Sequence, residues 1–173
     1  MAPAEKDRFR LEPLGKQHDR TEFTCGVDSL DLYLKTQATQ DMRRKANAVF
    51  VLVPLDSPGK IAGYFTLCAY GLAPGTIPEI ARKHLPRYPV VSATLIGRLA
   101  ISVDVQGKGL GSLLLTEALQ KAYENCAVVG SSMIVVDAID DRAAVFYQAH
   151  GFIRLSESMR LILPIQTIAG IVR

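Results

Sequence analysis

Hydrophobic and polar positions along this chain repeat with two different periods, and the switches between them mark its elements. The run FRLEPLG reads as a short strand ended by Pro13 and Gly15. In CGVDSLDLYLKTQATQDMRRKANA, Leu30, Leu34, Ala38, Met42 and Ala46 recur every four residues, the spacing of one helix stripe, with Asp28 and Ser29 as candidate N-caps. VFVLVPL is a β-rich strand, DSPGK a turn and IAGYFTLCAYGLA a second strand, which predicts an antiparallel hairpin. TIPEIARKHL predicts a short helix, and the prolines of PRYPVV hold that stretch extended. TLIGRLAISV reads as a buried strand, after which Leu113, Leu114, Leu115, Ala118, Leu119 and Ala122 line one side of a helix. MIVVDA is nearly all apolar, as suits the middle of a sheet. DDRAAVFYQAH predicts a short helix with acidic residues in its first turn and Gly151 just past its end. FIRLSESMRLILPI supplies one last strand or two.

The order is mixed α+β, with two strand–helix–strand steps in the second half. No repeat, low-complexity segment or linker interrupts it, and 173 residues suffice for a single domain with its own core. Composition changes this picture little, because 49% hydrophobic and 21% charged residues are ordinary for a globular chain. The net charge of +3 is compatible with a polyanionic partner without demanding one. MAPAEKDRFRLEPLG holds no apolar core of signal-peptide length, and runs such as VFVLVPL and IVVDAI fall far short of a membrane span. A cytoplasmic protein without a membrane partner is therefore expected. Cys25, Cys68 and Cys126 are scattered and read as reduced thiols; His18, His84 and His150 form no ligand cluster, so no metal is expected.

Between the buried strand and the long helix stands QGKGLG, with Gly107, Gly109 and Gly111 at alternate positions. Glycine costs about 0.5–1 kcal/mol relative to alanine inside regular structure, so three of them need a reason. A strand that turns through glycines into a helix presents backbone N–H groups at the helix's positive end, where phosphate binds, and side chains there would block the approach. The bland alternative is a tight strand–helix connection. The spacing is neither G-x-x-x-x-G-K-[ST] nor G-x-G-x-x-G, so P-loop and dinucleotide readings are weak.

The pattern Gln106-x-x-Gly109-x-Gly111 after an apolar strand resembles the acetyl-CoA pyrophosphate loop of the GNAT N-acetyltransferases. About forty residues later AAVFYQAHGF resembles that superfamily's second marker, a helix ending in F-Y-x-x-x-G-F. The resemblance implies a GNAT acyl-CoA N-acyltransferase fold over residues 1–173, a mixed, mostly antiparallel central sheet flanked by helices, with acetyl-CoA as co-substrate. FTCGVDSLDLYLKTQATQD, IAGYFTLCAYGL, LPRYPVVSATLIGRLAIS, GSLLLTEAL and VDAIDDRAAVFYQAHGF are similar to the GNAT toxins of bacterial type II toxin–antitoxin modules. That narrower resemblance implies acetylation of the α-amino group of aminoacyl-tRNA, arrest of translation and a ribbon-helix-helix antitoxin. SESMRLILPIQTIAGIVR could supply an apolar edge for a homodimer. Two rival functions stand beside it. One is a GNAT acting on a small amine or protein N-terminus. The other is a non-catalytic CoA-binding or interaction module, which an intact loop and Tyr147 disfavour.

Carried onto this chain, the resemblance assigns main-chain pairing with pantetheine to Leu99, Ala100 and Ile101, with Val103 just before the loop. The pyrophosphate falls to Gln106, Gly107, Lys108, Gly109, Leu110, Gly111 and Ser112. Tyr147 matches the tyrosine that protonates the departing CoA thiolate; otherwise it is a packed aromatic near a helix end, as Phe146 beside it is expected to be. LIGRLAIS lacks the glutamate base of many superfamily members and carries Arg98 instead. An aminoacyl amine needs such a base less, because an α-amino group titrates near 8 against about 10.4 for lysine. Water, Asp104 or Asp137 remain candidates for that proton. Arg98 is either a contact to a substrate phosphate or terminal adenosine, or half of a buried structural pair. Lys35, Arg43, Arg44 and Lys45 lie off the apolar stripe, and Arg82, Lys83 and Arg87 form a second basic cluster. These charges are either a solvated face or a footprint for an RNA backbone, read through shape and phosphates since no RNP-type aromatic motif occurs.

Overall fold

The computed structural model describes residues 4–83 and 85–171; His84, named above among the histidines, lies outside them, as do the last two residues of the proposed dimer edge. In chain order the elements are β1 (Phe9–Pro13), α1 (Asp28–Thr36), α2 (Ala38–Arg43), β2 (Ala48–Pro54), β3 (Gly63–Leu72), α3 (Glu79–Arg82) and β4 (Val91–Ile101). They continue with α4 (Leu110–Asn125), β5 (Met133–Asp137), α5 (Asp141–Ala149), β6 (Ile153–Arg154), β7 (Arg160–Pro164) and α6 (Ile165–Ile168). The strands form a seven-stranded sheet in the order β1-β2-β3-β4-β5-β7-β6. The expected hairpin is present, with Phe50 opposite Phe65 across β2 and β3. β4 and β5 run parallel across the α4 crossover, while β1–β2, β5–β7 and β6–β7 are antiparallel. The sheet is thus mixed and mostly antiparallel, as the resemblance implied.

Both strand–helix–strand steps are present, and β7 inserts between β5 and β6. Three local expectations are corrected. The long N-terminal helix is two helices broken at Gln37, which sits at φ −118° and ψ −31°. Neither Asp28 nor Ser29 caps it: Val27 holds the N-cap position in extended conformation without a side-chain bond. Instead the carboxylate of Asp31 reaches back and accepts from the Cys25 amide at 2.9 Å and the Thr24 hydroxyl at 3.2 Å. Ala46 falls outside the stripe and is exposed, since α2 ends at Arg43 and the chain reverses through Lys45 at φ 59°.

The chain divides into two compact units. One holds the residues up to Leu67 with Arg98–Ala118, the other Cys68–Gly97 with the residues from Leu119 on. In the first, the alternate residues Val49, Val51 and Val53 of β2 pack with Tyr33, Leu34, Ala38, Tyr64 and Ala100, as a period of two on a strand and of four on a helix requires. In the second, Val91 and Ala93, Met133 and Val135, and Ile162 form the core with Leu72, Ile77, Ala81 and Leu155. Thr66 on β3 is fully buried and its hydroxyl has no hydrogen-bond partner. An unbonded buried hydroxyl costs about 1–3 kcal/mol, so Thr66→Val is expected to raise Tm, by about 2–4 °C per kcal/mol recovered in a chain this long. A lower Tm in a thermal melt would show that the hydroxyl is bonded after all.

Candidate active site

β4 leads into the glycine-rich loop through a single 3-10 turn at Val103–Val105. The amide of Gln106 then clamps the loop's start, its Nε2 donating to the carbonyls of Cys25 and Ile101, both at 2.9 Å. Gly107 and Gly109 lie at φ +80° and +77°, in the left-handed region that costs other residues strain, and a Cβ at either would meet nothing within 4 Å. The loop therefore presents an open side. The carbonyl of Gly109 accepts from the Leu113 amide at 3.3 Å and so begins α4, whose buried Leu110 side chain anchors the first turn. The amides of Leu110 and Gly111 stand where a helix has no acceptor of its own, at the positive end of 16 aligned peptides. Gly111 is already helical, so what glycine provides there is space rather than a special φ. Together these features can hold a pyrophosphate.

Leu99, Ala100 and Ile101 are the last residues of β4, with Ala100 in the core of the first unit and its neighbours half-buried. Val103 differs from them: it is exposed, in the 3-10 turn, and its N–H already donates to Thr24 at 2.8 Å. Of the pairing assigned to this segment, only its carbonyl is left to Val103. Lys108 and Ser112 are exposed on the loop and the helix start. Asp104 is also at the surface, 3.3 Å from the Lys60 ammonium.

Tyr147 belongs to the second unit, on α5, where Asp140 caps the helix by accepting from Ala143 at 2.8 Å. The helix ends with paired reverse bonds: Phe152 N–H donates to the Tyr147 carbonyl at 3.1 Å and Gly151 N–H to Gln148 at 3.0 Å, with Gly151 at φ +94°. This is the Schellman arrangement, which also brings the residue after the glycine onto the residue that begins the last turn. Accordingly the Phe152 ring meets the Tyr147 ring edge-on at 5.5 Å, and the Phe146 ring meets the same tyrosine edge-on at 5.3 Å. The spacing F-Y-x-x-x-G-F is therefore a helix terminator that immobilises a tyrosine. Tyr147 is 8% exposed, and burial alone pushes its phenol up to about 12.

That shift fixes an expected pH profile. A raised phenol stays protonated well past pH 9, so kcat/KM should climb as the substrate amine loses its proton near pH 8 and then level off. A descending limb below pH 10 would show that some other acid is at work. Asp137 is poorly suited as the base, since Arg160 grips both its oxygens at 2.7 and 2.9 Å. Burial and the Asp31 carboxylate push the Cys25 thiol up to about 11, which makes it inert. His18 uses both ring nitrogens, accepting from the Gly15 amide and meeting Glu12 at 2.8 Å. Among the described residues no three His, Cys, Asp or Glu side chains gather as a metal site.

Lys35 and Arg43 are exposed on α1 and α2, Arg44 just past the end of α2, and Arg87 in the second unit. None of the four is in an ion pair among the described residues. Arg98 is half-buried with its guanidinium 3.5 Å above the Tyr33 ring. The sequence reading missed Tyr33, Asp41 and Asn47, which hold one another beneath that arginine. No local spacing relates them, because the turn after α2 is what brings Asn47 back.

Residues 47–154 match the family model described as the acetyltransferase (GNAT) domain. The chain belongs to the GNAT acetyltransferase family. Over 129 residues, 75% of each chain, this GNAT protein is 32% identical to the tRNA-acetylating toxin of Mycobacterium tuberculosis (strain ATCC 25618 / H37Rv). It also resembles the solved structure of AtaT complexed with acetyl-methionyl-tRNAfMet, with a TM-score of 0.86 and 26% identity over 94% of this chain and 98% of that one. A further likeness is to an AtaT variant bound to acetyl-CoA and the C-terminus of the antitoxin AtaR, with a TM-score of 0.79 and 26% identity over 95% and 98% of the two chains. The fold read from the sequence is that of this family.

Proposed function

We propose that this GNAT enzyme is a toxin that moves the acetyl group of acetyl-CoA onto the α-amino group of aminoacyl-tRNA, and so blocks translation. The observation that carries the reading is a nearly full-length likeness to a toxin solved with an acetylated aminoacyl-tRNA. The unpaired cations on and next to α1 and α2 and the lack of a carboxylate along β4 support it. In this reading the pyrophosphate rests on the amides at the start of α4, and pantetheine pairs with the Leu99–Ile101 main chain. The neutral substrate amine attacks the thioester carbonyl, the C–S bond breaks, the thiolate takes a proton from Tyr147, and water takes the proton lost by the amine and returns one to the Tyr147 phenolate. We place the protein in the bacterial cytoplasm as one acetyltransferase domain. Its partners there are a second copy and a ribbon-helix-helix antitoxin whose acidic segment covers the basic helices.

Charged bulk tRNA and radiolabelled acetyl-CoA test the substrate: nuclease digestion should release labelled N-acetyl-aminoacyl adenosine. Label found only on small amines or on protein N-termini would replace this reading with the rival acetyltransferase. Neutralising Arg43 and Arg44 together should lower tRNA affinity and reduce the slope of log affinity against log salt by about 0.7–0.9 per lost phosphate contact. An unchanged slope would leave those arginines as a solvated face.

A further inference from the structure

Arg98 departs from the usual way a chain treats a half-buried guanidinium. Among the described residues it makes no ion pair and no hydrogen bond, and the Asp41 carboxylate acts on it only through space. Its contact is the Tyr33 ring, 3.5 Å below. A guanidinium seated over a ring face in this way is held in place while its N–H donors remain for a bidentate acceptor. That carboxylate is already committed: Asp41 accepts from Tyr33 at 2.8 Å, from Asn47 at 3.0 Å and, on its other oxygen, from Gln37 at 3.0 Å.

The platform under Arg98 is rigid by construction. Tyr33 is 7% exposed, donates its hydroxyl to Asp41 and receives Asn47 Nδ2 at 3.2 Å. Its ring stacks on Tyr64 at 6.4 Å, and Tyr64 is tied in turn by its hydroxyl to the Leu30 carbonyl at 2.6 Å. The end of α2 closes by Ala46 N–H donating to the Asp41 carbonyl at 2.9 Å, with Lys45 held left-handed at φ 59°. A non-glycine residue in that conformation is strained and persists where its surroundings insist on it. The strained turn is what returns Asn47 to Tyr33. Burial and the Asp41 bond push the phenol up to about 12, so the platform stays neutral throughout the working pH range. The helices that carry Tyr33 and Asp41 also carry Lys35 and Arg43, with Arg44 at the C-cap of α2, a charge distribution that fits a polyanion.

We propose that Tyr33, locked by Asp41 and Asn47, is a positioning residue that holds Arg98 as a planar fork for one phosphate of the RNA substrate. The inference rests on the aminoacyl-tRNA reading and adds to it which residue acts through which. A phosphate of acetyl-CoA has the same chemistry, so both ligands enter the test.

Arg98→Lys keeps the charge and loses the fork; Tyr33→Phe keeps the ring and loses the lock. Both variants and their double are compared with the wild-type protein by tRNA binding in fluorescence anisotropy, acetyl-CoA binding in calorimetry, and steady-state kinetics. Arg98→Lys should weaken tRNA binding and raise its KM by about tenfold, and Tyr33→Phe by a smaller factor, with kcat and acetyl-CoA affinity nearly unchanged. The double variant should be no worse than Arg98→Lys, since Tyr33 acts only through Arg98. Should Tyr33→Phe lower Tm by more than a few degrees, Asn47→Ala replaces it, because Asn47 is half-buried and supplies the same lock. Additive losses, unaffected tRNA binding, or a loss confined to acetyl-CoA would each overturn the proposal. A wild-type protein that binds and acetylates charged tRNA while these variants behave additively sinks this inference alone; one that does neither sinks the substrate reading as well.

Discussion

Tyr147→Phe should lower turnover by about 10²–10⁴-fold while leaving the protein folded and able to bind acetyl-CoA. The substitution removes one oxygen and almost no volume, so no cavity arises. Its edge contacts with Phe146 and Phe152 belong to the ring and survive. The helix terminator also survives, because its bonds run from the main-chain amides of Gly151 and Phe152. What disappears is a buried, protonated hydroxyl whose only resolved perturbation is its burial. The departing thiolate then waits for a proton from water. In cells the variant should no longer inhibit growth yet should still bind its antitoxin. A stable Tyr147→Phe protein that binds acetyl-CoA and arrests growth at the wild-type level would make Tyr147 a packing residue only.

The second large effect is expected at Gly111. A valine there meets no φ barrier, because the residue is already in the first turn of α4. Its two methyl groups would occupy the space in front of the Leu110 and Gly111 amides. Losing one or two charge-assisted hydrogen bonds, each worth about 1.5–3 kcal/mol, weakens acetyl-CoA by roughly 10-fold to well over 100-fold. Gly109→Val is a poorer probe, since φ +77° adds backbone strain to the same obstruction. Titration calorimetry on folded Gly111→Val should show the loss with little change in Tm. Wild-type affinity in that variant would mean that the pyrophosphate does not approach the helix start.

Most of the element order could be read from periodicity, because a buried strand or helix face repeats along the chain itself. The failures share a cause. At the break the Gln37 side chain bonds Asp41, and before α1 the Asp31 carboxylate takes the Cys25 amide in place of a cap from Asp28 or Ser29. β7 enters between β5 and β6 because a short turn folds it back, and no pattern within FIRLSESMRLILPI states which neighbour each strand takes. Asp137, a plausible base on paper, is occupied by Arg160 from the adjoining strand.

The same division runs through the candidate site. By itself the sequence determined the glycine loop and the tyrosine-bearing helix end, since left-handed φ at Gly107 and Gly109 and the Schellman bonds after Tyr147 are set within a few consecutive residues. Local backbone conformation obeys local chemistry, so it leaves a motif. Only the tertiary structure decided that Val103 spends its amide on Thr24, that Gln106 clamps the loop to Cys25, and that Arg98 lies on Tyr33. Those are meetings of side chains and segments far apart in sequence, brought together by burying apolar surface whose pull has no direction. Burial says which residues go inside; the packed backbone then says whom they meet.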